Sequence, residues 1–337
     1  GDTTPEHLRL IDMTISPIGL PIEALDTPTL LVDLDILERN LQRMKRIIMD
    51  EAGIAWRPHT KGMKTPTLAH MLMRAGAHGI TCAKLGEAEV MAAGGVQNIL
   101  IANQVVGPLK AKRLARLQRS TSVLSCVDSE CGAAFLGAAA IAEGTRVPVV
   151  IEVDTGMGRA GVLPGDATVD LAKRVDQIDG VELVGLMTWE AAAAKEADID
   201  AKRAAATRML TGLTESADAC RAAGLNMEIV TCGGTLTYWF SAFHPGVTEM
   251  QAGGGIYGDA MYCHKYGVDH EFALTIKSTV TSRPTPRRII CDAGKKTMSA
   301  DVAWPIPQGI GDVAEMKQSA EHGIIELVAP SDTPAVG

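Results

Sequence analysis

Short apolar runs alternate with amphipathic stretches along most of the chain. Residues 29–32 read as a strand, and Asp35 is placed to cap a helix in which Leu37, Leu41, Met44 and Ile48 recur at helical spacing, with Gly53 just beyond its end. The run Ile54-Ala55-Trp56 and a helical pattern over 67–74 follow, then 79–82 with 86–93, and 98–102 with a helix opened by Pro108. A run at 122–127 precedes an Ala-rich stretch to Glu143; 147–153 precedes a helix over about 167–175; 181–188 precedes a long helical pattern to Ala223; and 227–232 precedes a short helix beyond Thr235. Roughly eight strand-helix pairs, spaced by about 25 to 35 residues, predict a parallel array, and the count favours a (β/α)8 TIM barrel over an open sheet.

The pattern changes after Tyr266. Stretches 272–281 and 288–291 are rich in β-formers, Pro284, Pro286, Pro305 and Pro307 punctuate the chain, and no long helical pattern returns. The expected organisation is therefore an N-terminal segment, 1–25, packing on a β domain; a barrel over 26–266; and a C-terminal mostly-β domain over 267–337. A chain of 337 residues is long enough for that pair of units. The net charge of -8 argues against a nucleic-acid partner and an anionic membrane surface. The longest apolar run, 133–142, is too short to span a bilayer, and the N-terminus lacks a basic segment followed by an apolar one, so a soluble cytoplasmic protein is expected. Seven scattered cysteines, mostly inside apolar runs, read as reduced core thiols.

Candidate chemistry gathers where the proposed strands end, the side of a parallel barrel on which active sites are built. Arg57-Pro58-His59-Thr60-Lys61 follows the second apolar run. A lysine there, beside an arginine and a histidine and partly withdrawn from water, has its ammonium form disfavoured, which suits a neutral amine forming a Schiff base. The sixth run ends in the Gly-rich turn Asp154-Thr155-Gly156-Met157-Gly158-Arg159, which aims one arginine. The eighth ends in Gly233-Gly234-Thr235, and Gly253-Gly254-Gly255-Ile256-Tyr257-Gly258 offers further bare amides; both suit a phosphate. A lysine, an arginine and phosphate-type loops together describe a pyridoxal phosphate site.

These segments, with Asp292-Ala293-Gly294-Lys295 and Glu321-His322-Gly323, resemble the D-threonine aldolase and D-serine dehydratase family, a branch of the alanine racemase-like fold, type III among pyridoxal phosphate enzymes. The resemblance covers the chain from about Leu25. It implies a homodimer with the active site between barrel and β domain, and a small D-amino acid as substrate. By the same resemblance Lys61 carries the cofactor in Schiff-base linkage, with His59 beside it as a catalytic candidate. Arg159 faces the pyridine nitrogen or the substrate carboxylate. Gly234, Thr235, Gly254 and Gly255 take the phosphate, and Thr188, Trp189 and Tyr257 belong to the cofactor-binding set, Trp189 having a core indole as its alternative reading.

The implied reaction is retro-aldol cleavage of a D-configured 3-hydroxy amino acid to glycine and an aldehyde. Dehydration with loss of ammonia is the alternative, followed by racemisation and by a non-catalytic pyridoxal phosphate carrier. Family members also bind a divalent metal (Mn, Mg or Zn) through a His followed two residues later by Asp or Cys, beyond Glu321-His322-Gly323. The sequence ends at Gly337 before such a motif, so a longer full protein or the loss of metal chemistry is expected, and the metal ligands are unassigned. Cys263-His264 and the pair His264 and His270 lack convincing ligand spacing. The loop Glu190-Ala191-Ala192-Ala193-Ala194-Lys195-Glu196 has no histidine to act as base, which leaves His59, Lys195 or a metal-bound water.

Overall fold

The computed structural model describes residues 16–337, so the first fifteen residues of the expected N-terminal segment lie outside it. The chain divides into two compact units, Asp33–Ala273 and a second formed by Leu274–Gly337 with the residues up to Val32.

The first strand, β1 (Thr29–Val32), gives way to α1 (Leu34–Lys45). The cap of α1 is Asp33, not Asp35: its Oδ1 accepts from the N–H groups of Asp35 and Ile36, each at 3.0 Å. Asp35 falls in the first turn, where its charge complements the helix dipole. Leu37, Leu41, Met44 and Ile48 are all fully buried, as their spacing predicts.

Eight parallel strands follow: β2 (Ala55–Trp56), β3 (Ile80–Cys82), β4 (Ile99–Gln104), β5 (Val123–Val127), β6 (Val147–Glu152), β7 (Val181–Met187), β8 (Ile229–Cys232) and β9 (Glu249–Met250). They pair in the order β2-β9-β8-β7-β6-β5-β4-β3. The two ends of that order meet just beyond β2, where His59 bridges Thr81, Thr60 N–H donates to Thr81 O at 2.8 Å and Thr81 N–H donates to Pro58 O at 2.9 Å. The ring is thereby closed. Helices α2 (Pro66–Arg74), α3 (Leu85–Ala93), α4 (Pro108–Leu117), α5 (Glu130–Glu143), α6 (Asp166–Asp176), α7 (Ile199–Ala222), the short α8 (Tyr238–Ser241) and α9 (Ala260–Tyr266) follow in turn. On β4 to β7 side chains alternate between two apolar clusters: Leu100, Leu124, Cys126, Val150 and Met187 fill the barrel interior, while Ile99, Ile101, Val123, Val149 and Ile151 join the layer that packs with the helices.

The expected number of barrel strands is found, but its membership differs at one position. Residues 29–32 pair antiparallel with β10 (Leu274–Lys277), and the remaining stave is β9, which the sequence does not announce. Only two residues long and opening on a glutamate, β9 presents no apolar run, whereas Thr29-Leu30-Leu31-Val32 does. β1 thus belongs to the second unit, and the barrel unit opens at Asp33 and closes at Ala273, in place of residues 26 and 266.

In the second unit β11 (Val280–Thr285), β12 (Arg288–Cys291), β13 (Val313–Gln318) and β14 (Gly323–Leu327) form an antiparallel sheet, order β11-β12-β14-β13, over a small core of Ile289, Ile325 and Leu327. The Asp292-Ala293-Gly294 and Glu321-His322-Gly323 motifs meet there: a Cβ on Gly294 would lie 2.5 Å from His322 N. Asp292 accepts from Thr27 Oγ1 at 2.6 Å and from Thr279 N–H at 2.9 Å, tying the residues before β1 to this sheet.

Candidate active site

The backbone of the lysine motif is pinned on both sides. His59 N–H donates to Gln251 O at 2.8 Å, and Gly253 is packed so closely that a Cβ would lie 2.3 Å from His59 O. Thr60 Oγ1 donates to Glu87 Oε1 at 2.7 Å, while Glu87 Oε2 accepts from Ala83 N–H at 2.9 Å. Lys61 leaves this fixed segment with its Nζ 4.8 Å from the centre of the Trp189 indole, and the Arg159 guanidinium carbon lies 4.9 Å from the same ring. Two cations on one indole ring bring strands β2, β6 and β7 to a common point.

Arg159 reaches that point from the Gly-rich turn. Asp154 Oδ1 accepts from the N–H groups of Gly156 at 3.0 Å and Gly158 at 3.1 Å. The turn needs φ values of 135° at Gly156 and 64° at Gly158, which is why glycines stand there. Burial on its own raises the Asp154 carboxyl, but the amides of Gly156, Gly158 and Met157 outweigh it and hold the group below its ordinary value. The Arg159 side chain then meets Glu152 at the end of β6, Nη2 to Oε1 at 3.2 Å.

Trp189 is held from below. A Cβ on Gly234 would sit 2.8 Å from Trp189 Nε1, so glycine lets the indole and the β8 loop touch. The next residue, Glu190, is fully buried and accepts from Gly233 N–H at 3.0 Å and Thr237 Oγ1 at 2.7 Å. Thr188 donates to Val153 O at 2.8 Å and bonds Thr155 Oγ1 at 2.9 Å, locking β7 to the arginine turn. Thr235 is buried, and a Cβ on Gly254 would lie 3.7 Å from its Oγ1, so the loops after β8 and β9 form one cradle. Under that cradle His270 Nδ1 donates to Gly255 O at 2.5 Å, which fixes the tautomer, and His270 Nε2 accepts from Tyr238 OH at 2.7 Å.

The electrostatics follow from this packing. Lys61 remains accessible, yet desolvation by its surroundings and then the Arg159 charge lower its pKa, against a smaller opposing pull from Glu87. His59 is pushed down to about 3 by desolvation and then by Lys61, so it is neutral at ordinary pH; its Nδ1 faces the Lys61 N–H at 3.3 Å. Burial raises the Tyr257 phenol.

The structure thus brings Lys61, Arg159, Trp189 and Gly234 together, seats His59 beside Lys61, and joins Thr235 to Gly254. Tyr257, at the end of the loop after β9, is half-buried and packs against the main core. The expected neighbour Arg57 points elsewhere: it is buried in an ion pair with Glu249 at 3.0 Å and donates to Asn98 Oδ1 at 2.7 Å, so Arg159 supplies the like charge at Lys61. Lys195 is the exposed last residue of a 3-10 turn, Ala191–Lys195, whose Ala193 and Ala194 are buried. His270 belongs to the hydrogen-bond chain above, and among the described residues no group of three or more His, Cys, Asp and Glu side chains gathers to hold a metal ion. Sequence reasoning misses Glu152 and Tyr238, and gives Glu190 and His270 no part in this hydrogen-bond network. The available signal was a glutamate at the end of an apolar strand, which demands a buried partner.

A closed parallel barrel with a lysine, an arginine and a glycine cradle at its C-terminal mouth, joined in sequence to an antiparallel β unit, defines the alanine racemase-like class. The chain belongs to the family described as alanine racemase, N-terminal domain, whose model matches residues 32–261, and residues 273–337 match the putative serine dehydratase domain. It is similar to the 3-hydroxy-D-aspartate aldolase of Paracoccus denitrificans (strain Pd 1222), 33% identical over 91% of this chain and 82% of that protein. The D-threo-3-hydroxyaspartate dehydratase of Delftia sp. (strain HT23) is 35% identical over 89% of this chain and 80% of its own length. The crystal structure of D-threonine aldolase from Filomicrobium marinum superposes with a TM-score of 0.88 at 34% identity, covering 93% of this chain and 85% of that one. Among the described residues no helix is long and apolar enough to cross a membrane.

Proposed function

We propose that this chain is a pyridoxal-phosphate-dependent lyase that cleaves 3-hydroxy D-amino acids by retro-aldol reaction to glycine and an aldehyde. The observation that carries the reading is the meeting of Lys61 and Arg159 on the Trp189 ring, which itself lies against Gly234 of the loop after β8. These residues fit the cofactor: an accessible amine whose charged form is disfavoured for its carbonyl carbon, and free backbone amides with a buried hydroxyl for its phosphate. Lys61 would hold it covalently; Gly234, Thr235, Gly254 and Gly255 would take the phosphate; Trp189 would support the ring, and Arg159 its nitrogen side. Bound there, pyridoxal phosphate supplies an electron sink for the pair released when the Cα–Cβ bond breaks.

The protein's own groups perform the rest. The Lys61 amine, its charged form disfavoured by desolvation and then by Arg159, would serve as the proton carrier of the site, including for the proton that completes glycine at Cα. Neutral His59 accepts from the Lys61 backbone N–H through its Nδ1, which helps fix the main chain there, and is a weak base, since its pKa is about 3. Arg159 keeps its charge throughout, so it stabilises without protonating.

Dehydration is the second reading, favoured by the Delftia relative, and begins from the same bound substrate. D-threonine and 3-hydroxy-D-aspartate, each with and without a divalent metal, separate the two. Acetaldehyde or glyoxylate with glycine supports the aldolase reading; ammonia with a 2-oxo acid moves the assignment to the dehydratase. Sedimentation velocity at assay concentration tests the homodimer expected of such an enzyme, and a monomer under those conditions contradicts it.

A further inference from the structure

The floor beneath Arg159 carries a charged group that the proposed chemistry leaves unused. Glu152, at the end of β6, is 4% exposed, and both of its carboxylate oxygens are engaged. Oε1 accepts from Arg159 Nη2 at 3.2 Å; Oε2 accepts from Gln104 Nε2 at 2.6 Å and lies 3.5 Å from Cys126 Sγ. Gln104 ends β4 and Cys126 lies near the end of β5, so neighbouring barrel strands contribute one polar layer above the apolar interior. Cys126 serves as a donor: burial first, and then the Glu152 carboxylate, push its thiol well above the ordinary value and keep it protonated. A buried carboxylate with an amide and a thiol on one oxygen is pre-formed to receive one cation on the other.

The Arg159 side chain is 50% exposed, whereas that of Glu152 is 5% exposed. Without an anchor the guanidinium has water as an alternative partner and several rotamers to occupy. We propose that Glu152 is a positioning residue for Arg159: it holds the guanidinium over Trp189, close to the Lys61 amine, and presents a fixed cation to the cofactor ring. The inference rests on the proposed function for its last clause. The coupling from Glu152 through Arg159 to Lys61 is a property of the protein alone.

The cofactor-free protein therefore provides the test. Acylation of Lys61 by an amine-selective reagent, followed across pH by peptide mass spectrometry, reads the fraction of neutral amine at that one residue. In Glu152→Gln, nearly the same shape without the charge, Arg159 turns to solvent, the like-charge pressure on Lys61 is relieved, and the neutral fraction near neutral pH falls by about threefold or more. Arg159→Ala gives a fall of the same direction, and adding Glu152→Gln to it changes nothing further, as a residue acting through Arg159 requires. A rise in the neutral fraction in Glu152→Gln would mean that the carboxylate acts only by neutralising a guanidinium that stays in place, and no change would mean that it does not act on Lys61; either overturns the proposal. In the loaded protein, the same ordering of variants is expected in the pH midpoint of the visible absorption band. If the wild type takes up no pyridoxal phosphate, the functional reading falls while the Lys61 titration still decides the role of Glu152.

Discussion

Desolvation and the Arg159 guanidinium both act against a charged Lys61, with desolvation the larger influence. The amine is therefore expected to form a Schiff base with added pyridoxal phosphate at a rate that rises with pH through a midpoint below the 10.5 of an ordinary lysine. Stopped-flow absorbance across pH measures that midpoint, and a value at or above 10.5 contradicts the site's electrostatics. His59, lowered to about 3, loses no proton between pH 5 and 8, so the pH profile of kcat/KM is expected to show no limb from this ring near its ordinary 6.5. Lys61, His59 and Arg159 were legible in the sequence because short motifs place them at strand ends. Which arginine faces Lys61 was not legible: Arg57, four residues before it, is buried against Glu249, and the charge comes from Arg159 in the turn after β6.

At the scale of the element, the loop after β7 is joined to the loop after β8 through Glu190 and to the turn after β6 through Thr188. Replacing this buried acid by alanine leaves Gly233 N–H and the Thr237 hydroxyl without their acceptor, an expected loss of about 1–3 kcal/mol in unfolding free energy by denaturant titration, with weaker cofactor uptake. Gly234→Ala drives a methyl to within 2.8 Å of Trp189 Nε1, where the indole must give way. The expected cost is about 1–3 kcal/mol, with quenching or a shift of the cofactor's visible band as the spectroscopic sign that the ring has moved. Helix positions were readable from 3.6-residue spacing, and Leu37, Leu41, Met44 and Ile48 all point into the core. β9 was hidden because its Glu249 is buried by pairing with a side chain from β2, information that no local pattern contains.

At the scale of the whole barrel, closure depends on that same pair. Arg57 and Glu249 are each 3% exposed, and His78 Nε2 lies 3.0 Å from the same carboxylate, so the seam between β2, β3 and β9 is held by charge as well as by backbone bonds. Arg57→Met strands a buried carboxylate and is expected to lower barrel stability by about 3–5 kcal/mol in denaturant titration. Burial on its own raises Glu249, but His78 and Arg57 outweigh it and hold its pKa below 4.5. A carboxyl depressed in the folded state stabilises the protein above its unfolded pKa, and that contribution is lost as pH falls through the folded value. Acid unfolding of the wild type below about pH 4.5 is thus expected to be steeper than that of Glu249→Gln, and coincident curves would remove the seam from this role. The array of alternating strands and helices was plain in the chain, whereas the swap of β1 for β9 depends on pairing between segments far apart in sequence.

The central claim, that Lys61 carries pyridoxal phosphate in a site built for lyase chemistry, is tested most directly by the visible absorption spectrum of the purified protein with added cofactor, beside Lys61→Ala. A Schiff-base band is expected that persists through desalting in the wild type, is abolished in the variant, and changes when a 3-hydroxy D-amino acid is added. A wild-type protein that retains no band, or a Lys61→Ala protein that keeps it, contradicts the account.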